Sequence, residues 1–213
     1  GAFGGRLVRG DDGVIRCWWG GRTPRYAAYH DTEWGLPVRD DRRLFEKVCL
    51  EGFQAGLSWL TILNKRENFR AAFDHFDVVR VARYRAPQVN RLLRNAGIVR
   101  HRGKIESTIN NAQRALALAD EFGSLAAFFW RHEPAPHTRP KRLTKDALLT
   151  MASSPASVAL SQDLKRRGWT FVGPTTVYAF MQAMGLVNDH LHGCPARGVA
   201  LAARASTARP GVG

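Results

Sequence analysis

The sequence contains few cysteines and no long apolar run, and both absences exclude classes of protein. Its 213 residues include only three cysteines, Cys17, Cys49 and Cys194, which are too few and too widely spaced for a disulfide framework. No stretch approaches the roughly 20 apolar residues of a membrane helix. The first 16 residues contain no apolar segment of signal-peptide length. We therefore expect a cytoplasmic protein that does not bind a membrane.

Acidic residues are also scarce compared with basic ones. The chain has 18 aspartates and glutamates against 32 lysines and arginines, a net charge of +14 at pH 7. Such an excess favours a polyanionic partner, of which nucleic acid is the first candidate. A composition that is simply rich in arginine would give the same count. Hydrophobic residues make up 45% of the chain, which is ordinary for a globular protein with a proper core.

Strand-like alternation is scarce, and most of the chain has the spacing of amphipathic helices. The segments with helical spacing lie at 44–49, 57–63, 89–96, 105–119 and 177–184. Residues 131–146 contain three prolines and are predicted to form a loop. Residues 1–14 and 196–213 look like flexible tails. The pattern predicts an all-α protein with one domain at residues 15–195.

A short basic connector separates two of these helical segments. The first helix is predicted to end near Asn95, Gly97 permits a tight turn, and the next helix begins near Gly103. Backbone N–H groups at such a turn and helix start can bind an anion. We therefore interpret residues 92–112 as a helix-hairpin-helix element that binds DNA phosphate. The predicted phosphate-binding residues are Gly97, Arg100, Arg102 and Lys104. The alternative is a plain helical corner with a solvated basic face.

A second informative stretch combines aromatic rings with one carboxylate. Residues 17–35 contain five large aromatic side chains, and residues 49–70 add Glu51 and Trp59. Rings can stack on a flat cationic heterocycle, and a carboxylate can accept hydrogen bonds from its exocyclic amine. Glu51 lies beside apolar residues on a segment expected to be buried, where an unpaired carboxylate is costly. The alternatives are that the rings fill the core and that Glu51 pairs with an arginine.

Several motifs, in one order along the chain, resemble the 3-methyladenine DNA glycosylase I family of the helix-hairpin-helix glycosylase superfamily. These motifs are YAAYHDTEWG, LFEKVCLEGFQAGLSWLTILNKRENFR, AGIVRHRGKI and KRRGWTFVGPTTVYAFMQAMGLVNDH. They lie between Cys17 and Cys194, with a weak stretch from about 120 to 155. The resemblance implies a monofunctional enzyme that flips 3-methyladenine out of alkylated double-stranded DNA and hydrolyses its N-glycosidic bond, releasing the free base.

The resemblance also assigns roles to individual residues. It implies a base pocket formed by Trp19, Tyr26, Tyr29, Glu51 and Trp59. Glu51 would recognise the alkylated adenine and is the catalytic candidate, although chemical assistance and binding alone both remain open for it. The superfamily generally places a catalytic aspartate after the hairpin, and the nearest residue here, Asp120, reads as part of a solvated helix end. This family lacks that aspartate.

A structural metal site is implied in the same way. The family carries one zinc ion that joins the two ends of the fold, and the matching residues are Cys17, His30, His190 and Cys194. Two thiolates and two imidazoles complete a closed tetrahedral zinc site. His190 and Cys194 share a face if their turn is helical, whereas His192 would point elsewhere as a surface residue.

We therefore expect the helix-hairpin-helix glycosylase fold with this zinc site, in a monomer. Two other functions stay open from the sequence. One is a non-catalytic, zinc-stabilised DNA-binding protein that uses the same hairpin. The other is a glycosylase for a different alkylated base.

Overall fold

The computed structural model describes residues 6–207. Within them lie eleven α-helices and a two-stranded antiparallel hairpin. The strands are β1 (Leu7–Arg9) and β2 (Ile15–Cys17). The helices are α1 (Pro24–Thr32), α2 (Asp41–Phe53), α3 (Trp59–Ala72), α4 (Val78–Ala82), α5 (Ala86–Leu93), α6 (Arg102–Phe122), α7 (Leu125–Trp130), α8 (Lys145–Leu149), α9 (Pro155–Arg166), α10 (Pro174–Ala183) and α11 (Pro195–Ser206). The fold is therefore mostly helical, as the hydrophobic spacing predicts.

Polar side chains fix where the central helices begin. Asp40 accepts a hydrogen bond from the N–H of Arg43 at the start of α2, and Ser58 accepts one from Thr61 at the start of α3. The Nδ1 atom of His101 does the same for α6. Each cap satisfies an N–H group that the first helical turn leaves without a partner.

Helix α2 lies at the centre of the core and packs against α6, α7 and α10. Its residues Leu44, Phe45 and Leu50 are completely buried, and each contributes roughly 1.5–3 kcal/mol by leaving water. Because α2 is enclosed by other helices, its charged residues Lys47 and Glu51 are also carried into the interior.

The prediction of two flexible tails is wrong for those tail residues that the structure describes. β1 pairs with β2, with Leu7 opposite Cys17, and residues 195–206 form α11. Strands of three residues are too short to show an alternating pattern. Pro195 occupies the first turn of a helix, a position that proline tolerates, and does not mark the start of a tail. Leu7 is buried in a small cluster beside both termini of the fold, so these segments belong to the packed structure. The remaining tail residues, 1–5 and 208–213, lie outside the described residues.

The predicted proline-rich loop is largely confirmed. Between α7 and α8 the chain forms only a short 3-10 turn at Pro136–Thr138, and α8 begins at Lys145. None of the helices in the described part of the chain is both long enough and apolar enough to cross a bilayer.

Candidate functional site

A cavity of about 350 Å³ opens between α1, α2, α3, α8 and α10. Its lining contains all the residues predicted to bind a base, namely Trp19, Tyr26, Tyr29, Glu51 and Trp59. Other walls come from α8 and α10, which contribute Leu149 and Tyr178 among others. The volume lies at the lower end of the range of small-ligand pockets. The structure therefore brings the predicted residues together around a space that accommodates one heterocycle.

The aromatic wall follows from the start of α1. The hydroxyl of Thr23 accepts a hydrogen bond from the N–H of Tyr26 and caps the helix. Tyr26 and Tyr29 then lie three residues apart on one face. The ring centre of Trp19 is 5.0 Å from that of Tyr26, and Tyr29 is 5.6 Å from Trp59. Through these tilted contacts the rings pack against one another and form a continuous aromatic wall.

Glu51 has a partner that the sequence analysis missed. It is 5% exposed, and its Oε1 atom lies 3.4 Å from the Nζ atom of Lys47, one turn earlier in α2. The sequence analysis considered an arginine instead. The available signal was the spacing of four residues between a lysine and a glutamate inside an apolar helix.

Burial and charge act in opposite directions on this pair. Burial raises the pKa of Glu51, while the positive charge of Lys47 lowers it. Burial also lowers the pKa of Lys47 to about 8, so the ammonium form still predominates at pH 7. The ammonium group therefore favours the ionised carboxylate against the effect of the apolar surroundings.

One polar atom in the wall lacks a partner. The indole N–H of Trp59 is buried and makes no hydrogen bond within the described residues. Buried N–H groups are rarely left unpaired, and Trp59 lines the cavity. The ring of Trp59 therefore contributes surface to the cavity, while its N–H group is enclosed by protein.

The four predicted metal ligands form a second, fully buried cluster. Cys17 ends β2, His30 lies on α1, and His190 and Cys194 lie between α10 and α11. Their ligand atoms all lie within 4.8 Å of one another. Two sulfurs and two imidazole nitrogens in this arrangement have the chemistry of a closed metal site. The cluster joins the N-terminal hairpin to the C-terminal part of the fold.

The turn from His190 to Cys194 is not helical, so the condition for a shared helical face is not met. Residues 188–194 have no helical structure, and the N–H of Cys194 instead donates to the carbonyl of Leu191 in a tight turn. The turn brings both side chains inward without a helix. His192 points away from the cluster, as predicted, but it is half-buried, and its Nδ1 atom accepts a hydrogen bond from the N–H of Leu143.

The histidines of the cluster are oriented by outer contacts. The Nδ1 atom of His30 lies 2.7 Å from a carboxylate oxygen of Asp31, and the Nε2 atom of His190 lies 2.7 Å from the carbonyl oxygen of Trp34. These bonds turn the opposite nitrogens toward the sulfurs, at 3.7 Å from Cys194 and 3.9 Å from Cys17. Partners of this type commonly fix metal-ligating histidines.

The predicted hairpin is present as two helices, α5 and α6, joined by residues 94–101. Arg100 and Arg102 are exposed beside the start of α6. The prediction for Lys104 is wrong, because this residue is buried and its ammonium group donates to the carbonyls of Phe53 and Ala55 at the end of α2. Sequence spacing could not show that its side chain turns inward.

Gly97 supplies the turn but not a free donor. Its N–H is bonded to the side-chain oxygen of Asn95 at 2.9 Å, and its carbonyl accepts a hydrogen bond from Asn68. The N–H of Gly97 is therefore not free to bind phosphate, and a role of this residue in phosphate binding stays a prediction. The exposed arginines and the N-terminus of α6 remain as the anion-binding candidate at the hairpin.

A basic, mostly helical protein with a carboxylate among aromatic rings has the features of an enzyme that extracts a damaged base from the DNA stack. Comparison with known proteins agrees. A family model described as methyladenine glycosylase matches residues 18–197. The chain therefore belongs to the methyladenine glycosylase family, and the resemblance noted in the sequence is confirmed.

Individual relatives are similar over nearly their whole length. DNA-3-methyladenine glycosylase 1 of Escherichia coli is 49% identical, with 84% of this chain and 95% of the relative covered. DNA-3-methyladenine glycosylase of Haemophilus influenzae is 44% identical, with 86% and 98% covered. A variant of 3-methyladenine DNA glycosylase I, solved in complex with 3-methyladenine, superimposes with a TM-score of 0.78 at 37% identity, with 85% of this chain and 97% of that chain covered.

Proposed function

We propose that this protein excises 3-methyladenine from alkylated double-stranded DNA by hydrolysing its N-glycosidic bond, with the flipped-out base held in the aromatic cavity. The observation that supports this most strongly is Glu51, a buried carboxylate in the wall of that cavity. A non-catalytic DNA-binding protein has no need of such a group. Membership in the glycosylase family also favours an enzyme.

The cavity matches the chemistry of the base. The rings of Tyr26, Tyr29 and Trp59 supply stacking surface, which is worth roughly 1–3 kcal/mol per base. Glu51 accepts a hydrogen bond from the exocyclic amine, and its charge attracts the cationic purine. The base must leave the stack first, and alkylation lowers that cost because it weakens pairing.

The reaction needs little acid catalysis. Methylation at N3 places a positive charge on the purine, so the bond between C1′ and the purine nitrogen breaks with its electron pair neutralising the base. An oxocarbenium-like sugar forms, water adds to C1′, and the proton of that water passes to solvent. Among the described residues that line the cavity, Glu51 is the only acidic one. Asp120 is exposed near the end of α6 and does not line the cavity. Binding and charge stabilisation therefore supply the catalysis.

One structural zinc ion is proposed for the Cys17–His30–His190–Cys194 cluster. The donor set, the complete burial and the outer hydrogen bonds of both histidines support it. Zinc with four protein ligands has no open position, so the ion would stabilise the fold and take no part in base removal.

The α5–α6 pair is proposed to act as a helix-hairpin-helix element. Phosphate would bind at the N-terminus of α6, beside Arg100 and Arg102, without reading the DNA sequence. This contact would hold the duplex while the damaged base enters the cavity. The protein is expected to work as a monomer.

Free 3-methyladenine should quench the tryptophan fluorescence of the protein, because Trp19, Trp34 and Trp59 line the cavity. A titration with the free base tests the binding half of the proposal. Unmethylated adenine and 7-methylguanine serve as controls and should bind more weakly. Preference for one of these bases instead would identify a glycosylase for another substrate.

Reversing the charge of Arg102 should weaken binding to all DNA sequences alike. Arg102→Glu removes one phosphate contact, so the slope of log affinity against log salt concentration should fall by about 1. The matched control is Arg42→Glu, an exposed arginine at the opposite end of α2 from the hairpin. Equal losses in the two variants would mean that net charge, and not the hairpin, determines affinity.

A further inference from the structure

A second, smaller cavity lies behind the aromatic wall. Tyr29 and Trp59 line both cavities. Lys47 lines the second one, and in the described part of the chain it is not among the residues that line the first. Lys47 is therefore separated from a bound base by two of the rings that would stack on it.

The ammonium group of Lys47 contacts three parts of the base site at once. It lies 3.4 Å from Oε1 of Glu51 and donates a 2.6 Å hydrogen bond to the hydroxyl of Tyr29. It also lies 3.3 Å from the ring centre of Trp59, a close cation–π distance. A single side chain, 6% exposed, thus links the carboxylate to both stacking rings.

A purely structural explanation fits these contacts poorly. A buried ammonium group is costly to desolvate, and an apolar side chain of similar length would fill the same space without that cost. The contacts that offset the desolvation cost of Lys47 come from groups of the cavity wall. The carboxylate among them is that of Glu51. The placement therefore points to a role in the base site.

Other charged groups near Lys47 are largely matched with one another. Arg66 forms a bidentate ion pair with Glu33 at 2.8 and 3.0 Å, and Arg70 pairs with Glu46 at 2.7 Å. Titratable or charged groups that face Lys47 or this cavity are Tyr29, Glu33, Arg43, Glu46, Glu51, Arg66 and Arg70. In each of these two arginine–glutamate pairs the positive and negative charges neutralise each other. Lys47 is therefore the cation that neutralises the charge of the Glu51 carboxylate.

We propose that Lys47 is a positioning residue of the base site, which keeps the Glu51 carboxylate ionised. This inference rests on the proposed function, since it assigns the action of Lys47 to Glu51. It differs from that function in naming a residue that does not touch the base.

The test is a double-mutant cycle on affinity for free 3-methyladenine. Lys47→Met keeps the length of the side chain and removes its charge, so Glu51 should take up a proton at a higher pH. If the acid side of the binding profile moves up by about one pH unit, affinity falls by up to roughly tenfold at pH values below that transition and recovers above it. In a Glu51→Gln background there is no carboxylate to protonate, so Lys47→Met should change affinity little and add no acid limb to the pH profile.

Two outcomes separate the hypotheses. Equal losses from Lys47→Met in both backgrounds would overturn the positioning role, because a packing defect does not depend on Glu51. Equal affinity of wild type and Glu51→Gln would instead overturn the proposed function itself. Arg66→Met is the matched control, since it removes a cation that lines the same cavity but pairs with Glu33. It should leave the pH profile in place.

A second variant guards against misfolding. Lys47→Gln retains a group that can bond to the Tyr29 hydroxyl but carries no charge. If Lys47→Met does not fold, the same upward shift of the acid limb is expected for Lys47→Gln. A wild-type pH profile in that variant would overturn the proposal.

Discussion

Replacing Glu51 with glutamine should weaken binding of free 3-methyladenine by roughly ten- to a hundredfold. The change nearly preserves shape, but it removes the charge and turns one acceptor oxygen into a donor that faces the amine of the base. Loss of a charge-assisted hydrogen bond in a dry pocket costs about 1.5–3 kcal/mol, which corresponds to that range of affinity. A fluorescence titration of both proteins with the free base measures it.

Binding to undamaged duplex should hardly change in the same variant, since phosphate contacts outside the cavity supply that affinity. A matched control is Glu46→Gln, another glutamate of α2, which pairs with Arg70 and does not line the base cavity. It should bind the free base as the wild type does. Equal affinity of wild type and Glu51→Gln would remove Glu51 from the site.

Loss of the metal cluster should have the second large effect, on stability. Cys194→Ser should release bound zinc and lower the free energy of unfolding by more than about 4 kcal/mol, the range seen when a structural metal is lost. The reason is geometric, because the cluster connects β2 and α1 to the segment that precedes α11. Elemental analysis and thermal unfolding of the two proteins measure both effects.

Cys49→Ser provides the control for this experiment. Cys49 is also buried, at 4% exposure, but it lies in the apolar core on α2, where its thiol packs as a small hydrophobe. The variant should lose some stability and retain its metal. Freshly purified wild-type protein without zinc would contradict the assignment of the ion, whatever the stability of the variants.

Helices α2, α3, α5, α6 and α10 were predictable because their signals are local. Apolar spacing predicts α2, and the turn after Asn95 predicts the start of α6 within one or two residues. The hairpin of β1 and β2 gave no such signal, since strands of three residues are stabilised by a distant cluster around Leu7 and Leu191. Tertiary contacts decide structure there, and sequence patterns do not contain them.

At the candidate sites, too, local sequence signals were predictive and tertiary contacts were not foreseen. The aromatic motifs and the resemblance predicted residues that the structure brings together, but Lys47 and Lys104 show where sequence reasoning fails. Both are buried lysines, and lysine is normally expected at the surface. Which way each side chain turns depends on partners far along the chain, such as Tyr29 for Lys47 and Phe53 for Lys104.

The central claim, that the Glu51 cavity excises 3-methyladenine, is tested most directly by release of the base from methylated duplex DNA. Wild type and Glu51→Gln are incubated with the same DNA, and the free bases are separated by chromatography. We predict that the wild type releases 3-methyladenine without cutting the strand and that the variant does so at least roughly tenfold more slowly. Absence of release by the wild type, or equal rates for the two proteins, would contradict the claim.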